Sequence, residues 1–173
     1  CCFTGQAAAL VALPFHLQHG LGQTPLTAGL YMTPWPLCVA LTATLAGRLA
    51  DRVSTARLCA IGGGCLALGL AAAALAPLRA DPGLLVPITV LCGLGFGLFQ
   101  TPNNRNMFLA APLSRSGAAG GLQATARLTG QTAGAVVMTL LFSLTSPVTA
   151  PRIGLGIGAV MALLAGLVSL LRL

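Results

Sequence analysis

Three polar side chains recur at four-residue intervals in one apolar stretch: Gln123, Arg127 and Gln131. On a helix turning about 100° per residue they fall within an arc of about 80°. Gly130 and Gly134 project into the same sector, while Leu122, Thr125, Thr129, Thr132, Val136 and Leu140 occupy the other side. A polar sector of this kind belongs against a cavity or another helix and not against lipid. Arg127 has two readings: it lines a cavity with the two glutamines, or it snorkels to a headgroup layer. A second amide set, Gln100, Asn103 and Asn104, surrounds Pro102. Gln100 and Asn104 are one turn apart and face together. Amides so placed either bond across helices or line a substrate path near a proline break. Gln6 is a further cavity candidate. A third set, Gly47, Asp51 and Arg52, lies in a charged loop, where glycine permits a tight exit from one helix and the acid favours the start of the next.

Other chemistries find little support. The six cysteines form no CxxC pair, and no histidine lies near a second ligand at zinc spacing, so no metal site is expected. There is no G-x-S-x-G elbow. Ser116 and the histidines His16 and His19 fall at opposite ends of their spans, His16 and His19 being expected at the outer interface, so an intramembrane serine hydrolase is disfavoured. No enzyme and no cofactor are expected. Only two acids are present, Asp51 and Asp81, and both are placed in loops.

The elements that must hold these groups are set by hydropathy. Of 173 residues 56% are hydrophobic and 6% charged, with a mean hydropathy of +0.91. Soluble domains carry about 25% charged residues. No charged residue occurs between Cys1 and Arg48. The reading is an all-α, polytopic membrane protein with six spans at about 2–17, 26–46, 58–75, 84–107, 118–144 and 153–171. Span 26–46 is interrupted by Pro34-Trp35-Pro36, and the loop Ala76–Gly83 carries Pro77, Asp81 and Pro82. Glycine pairs four apart, Gly93/Gly97, Gly130/Gly134 and Gly154/Gly158, point to helices packed closely on one another.

The charge of +7 comes from nine arginines spaced singly between apolar runs, which fits a membrane's charge rule and not nucleic acid. Alternate loops place Arg48, Arg52, Arg57, Arg105, Arg115 and Arg172 on one side and Arg79 and Arg152 on the other. The first side is expected to be cytoplasmic, with both chain ends on it.

Gly47-x-x-x-Asp51-Arg52, with Arg57 five further on, resembles the cytoplasmic loop motif of the major facilitator superfamily, departing from it at Ser54 and Ala56. The run Gly93-Leu94-Gly95-Phe96-Gly97-Leu98-Phe99-Gln100-Thr101-Pro102-Asn103-Asn104-Arg105 resembles the drug:proton antiporters with fourteen spans, the EmrB/QacA type. So does Arg115-Ser116-Gly117-Ala118-Ala119-Gly120 leading to Ala124–Thr132. The resemblance implies the last six helices of such a protein, with the N-terminal half absent. It implies a secondary transporter of the cell membrane that exports small amphipathic substrates against protons by alternating access. Gln123, Arg127, Gln131, Gln100, Asn103 and Asn104 would face the cavity, with Gly47, Asp51 and Arg52 in gating. The expected partners are the lipid bilayer and the missing half, which must also bring the membrane-buried carboxylate for proton coupling. The alternative is a six-helix channel or permease subunit working as an oligomer.

Overall fold

The computed structural model describes residues 1–76 and 82–171. Seven α-helices run through them: α1 Cys2–Phe15, α2 Pro25–Met32, α3 Pro34–Leu49, α4 Thr55–Leu75, α5 Leu85–Leu109, α6 Ser116–Leu144 and α7 Thr149–Leu170. No strand occurs among the described residues. Uncharged Ala- and Leu-rich runs fold this way because lipid offers no partner for backbone N–H and C=O groups, which a helix satisfies internally. The protein is an all-α membrane protein. Helices α4, α5 and α7 are each long and apolar enough to cross a bilayer. Pro77, Arg79 and Asp81, from the expected 76–83 loop, lie outside the described residues, as does Arg172.

Helix ends follow local chemistry. Thr24 Oγ1 accepts from Thr27 N at 3.3 Å and Pro25 opens α2, a pairing of side-chain cap and N-terminal proline. Ala76 turns to ψ 132° at the end of α4. It precedes a proline in sequence, and that neighbour disfavours helical backbone. The interruption at Pro34-Trp35-Pro36 falls at Thr33, which keeps right-handed angles (φ −55°, ψ −37°) between α2 and α3. The missing proline N–H groups break the bonding ladder there without turning the chain aside. The first helix ends in a π-helical turn, His16–Gly20, in which Leu21 N reaches back to His16 O at 3.1 Å.

Helix α4 sits at the back of the bundle between α5 and α7. Helix α3 packs outside α5, α1 on α7, and α6 against α1. Close approach is obtained by removing side chains. A methyl built on Gly62 would lie 2.6 Å from Phe99 N of α5, and one on Gly63 2.9 Å from Ala162 O of α7. Adjacent glycines thus admit two different neighbours to α4. The three glycine pairs read from the sequence also lie at helix contacts: Gly93 and Gly97 against α3, Gly130 and Gly134 against α1, Gly154 against α6 and Gly158 against α1. Leu66, Leu70, Ala9, Ala12, Leu13 and Leu155 form the centre of the core. Helix α6 is the exception. Of its 29 residues only Gly134 and Met138 are buried.

Two sequence expectations change here. Gly47 lies inside α3 and does not provide a turn; among the described residues the glycine with positive φ is Gly22 (φ 65°). Pro102 does not break its helix, since α5 continues through it to Leu109.

Candidate functional site

Helices α1, α3, α5 and α6 surround an open cavity of about 430 Å³. Each contributes side chains one helical turn apart, the spacing that puts residues on one face. Phe3, Gln6 and Leu10 come from α1, Trp35, Pro36, Val39 and Ala40 from α3, Phe96 and Gln100 from α5, and Arg127 and Gln131 from α6. Phe3 and Phe96 meet edge to face at 5.9 Å, a favourable geometry for two rings, and wall the cavity on one side. Trp35 is 2% exposed. Its indole Nε1 and the Gln6 Oε1 are buried without a hydrogen-bond partner among the described residues. Among the described residues the one charged group in the lining is Arg127, an exposed side chain.

The sequence-derived set is divided. Gln100, Arg127 and Gln131 meet in this cavity with Gln6. Gln123 and Asn103 instead line a second cavity of about 260 Å³, with Cys1, Cys2, Phe99 and Ser169. Phe3 belongs to both linings and stands between them. The α6 stripe is therefore cut by the start of α1, which crosses it where a methyl on Gly130 would touch Phe3 Cβ at 3.0 Å. Asn104 does not face Gln100's cavity; its Oδ1 accepts from Gln123 Nε2 at 3.1 Å and bridges α5 to α6.

Asp51 and Arg52 follow α3 in a short loop and border an exposed hollow with Arg48. Asp51 pairs with Arg105 of α5 at 2.7 Å, and Asn106 Nδ2 donates to Thr55 Oγ1 at 2.6 Å. The loop before α4 and the first residue of α4 are thus each tied to the end of α5. Sequence reasoning missed Arg105 as the partner, although it had placed Arg105 and Asp51's loop on the same side. It also missed Trp35, Phe3 and Phe96 as cavity walls, because aromatic residues in apolar runs carry no pattern that separates wall from core.

The two histidines differ. His19 is exposed and stacks on Phe15 at 5.4 Å. His16 is buried at 1% exposure, and neither ring nitrogen has a hydrogen-bond partner among the described residues. Among the described residues no group of three or more His, Cys, Asp or Glu could hold a metal.

The family model described as Major Facilitator Superfamily matches residues 1–173. The chain is 42% identical to the uncharacterized transporter YebQ of Escherichia coli (strain K12), over 100% of this chain and 38% of the relative. It is 32% identical to the riboflavin transporter RibZ of Clostridioides difficile (strain 630), over 73% of this chain and 28% of that one. It is also 32% identical to a tetracycline resistance determinant of Streptomyces rimosus, over 86% of this chain and 42% of that one. The chain spans well under half the length of each of these relatives. No solved structure matches it.

Proposed function

The chain belongs to the Major Facilitator Superfamily, a family of transporters and not of enzymes, and on that premise we propose that it forms the C-terminal six-helix half of a proton-coupled exporter of small amphipathic molecules. The six spans are α1 with its π turn, α2 continued by α3, and α4, α5, α6 and α7. The transporter is of the fourteen-span drug:proton type, resides in the cell membrane, and has both ends of this chain on the cytoplasmic side.

One observation carries the reading. Polar side chains of α1, α5 and α6 open with α3 onto a shared concavity, while α4 and α7 pack behind it. A guanidinium and three amides facing acyl chains would be costly, so this face is completed by a second six-helix half. The ligand lies between the two halves, and rocking of one against the other moves it. The loop carrying Asp51 and Arg52 holds one end closed through the Asp51–Arg105 pair. The proton is carried by a carboxylate of the other half, since the described acid, Asp51, is engaged in this loop. Relatives named for riboflavin and for tetracycline resistance support a small organic substrate.

The test uses membrane vesicles bearing the transporter in which this chain is one half. Adding a transported drug should collapse a preset pH gradient, and Arg127→Ala should remove that response while leaving the protein's abundance unchanged. Undiminished exchange by Arg127→Ala would sink the cavity assignment.

A further inference from the structure

We propose that the cavity selects ligands by charge, accepting a planar aromatic acid and rejecting organic cations; this rests on the cavity being a ligand site. Three observations lead there. Among the described residues no carboxylate lines the cavity, and its one charged group is the Arg127 guanidinium. No ion pair or hydrogen bond engages Arg127 within the described chain, whereas Asp51 is already held by Arg105. Once the other half covers this face, the guanidinium is drawn from bulk water and demands a compensating charge, and its planar fork matches a carboxylate or sulfonate.

The second observation is the wall. Phe3, Phe96 and Trp35 present aromatic surface on two sides of the space, which a flat ring fills at little entropic cost. The third is a pair of incomplete polar atoms in that wall. Trp35 Nε1 is a donor and Gln6 Oε1 an acceptor; both are buried and neither has a partner among the described residues. Buried polar groups are normally paired, and unpaired ones concentrate where something else completes them. An acid oxygen at Arg127 with ring substituents toward Trp35 and Gln6 meets all three conditions. A flat aromatic cation meets the second condition but fails the first: it would sit beside a like charge, with no carboxylate of this half to offset it.

The chain has a single tryptophan, Trp35, so its emission reports occupancy of this cavity directly. The transporter that contains this chain, with each tryptophan outside the chain replaced by phenylalanine, is reconstituted in phosphatidylcholine vesicles and titrated with dansylate, an anionic naphthalene, and with dansyl ethylenediamine, which carries the same ring system on an ammonium. Energy transfer from Trp35 to each dye is corrected against protein-free vesicles and against Trp35→Phe. Dansylate should saturate, at a Kd at least about tenfold below that of the ammonium dye. Arg127→Gln should abolish the difference, and Arg127→Lys, which keeps the charge, should retain most of it. Tighter binding of the ammonium dye overturns charge selection but leaves the cavity a ligand site. Absence of saturable binding by either dye overturns both. A preference that survives Arg127→Gln overturns the role of that residue. Equal binding of the two dyes means that a carboxylate of the other half neutralises Arg127, and the inference fails.

Discussion

Replacing Gly62 by alanine tests whether the bundle is held by backbone approach. The added methyl would lie 2.6 Å from Phe99 N, 2.7 Å from Gly95 O and 2.9 Å from Leu98 C. All three obstacles are α5 backbone, so no side-chain rotation relieves them. Restoring an ordinary contact of about 3.5 Å means parting α4 and α5 by roughly 0.9 Å. Overpacking costs about 1–3 kcal/mol, and the upper end applies where nothing flexible can yield. A gap of that width also forfeits a quarter to a half of the dispersion along the contact. Alanine returns about 1 kcal/mol of helix propensity, leaving a net loss of about 2 kcal/mol. The control is two residues away: a methyl on Gly64 meets nothing within 4 Å, so Gly64→Ala should gain up to about 1 kcal/mol from propensity alone. For a chain of this size 1 kcal/mol moves Tm by about 2–4 °C. Gly62→Ala should therefore fall by about 4–8 °C and Gly64→Ala rise by a few degrees. Cys59 and Cys92 carry buried thiols that form no disulfide, so a thiol-reactive fluorophore in detergent reads the unfolding, with Cys1→Ser lowering the background. Equal shifts for the two alanines, or a Gly62→Ala protein as stable as its parent, would refute packing by glycine approach.

The remaining predictions follow from single contacts. His16→Leu should raise thermal stability by about 1–3 kcal/mol in the same thermal assay, because two buried ring nitrogens lack partners. Asp51→Asn should cost less than about 1 kcal/mol, since both partners of the Arg105 pair are substantially exposed. A double-mutant cycle with Arg105→Gln at low and high salt measures that coupling, which should shrink with salt. Asn106→Ala should cost about 0.5–1.5 kcal/mol through its bond to Thr55, and Thr55→Val in the same background should add little.

Charge-free runs of membrane-spanning length were legible without a structure because the bilayer constrains composition locally: each helix must be apolar and must bond internally, whatever its neighbours do. The glycine pairs and the polar periodicity of α6 were legible for the same reason, as one-dimensional patterns with the helix period. That Gln100, Arg127 and Gln131 share a cavity while Gln123 and Asn103 do not was decided by the path of α1, whose Phe3 stands across the stripe. Periodicity assigns a face to a residue but not the helix opposite it. The same limit hid Arg105 from Asp51, the burial of His16, and the aromatic walls of the cavity. Gly47 makes the point in reverse, since its residue type suggested a turn and the surrounding helix, whose propagation outweighs the roughly 1 kcal/mol a glycine costs in it, carried on to Leu49. Element type is written in short stretches of the chain because lipid enforces it residue by residue; the site is written in crossings, and a crossing exists only when two distant stretches meet.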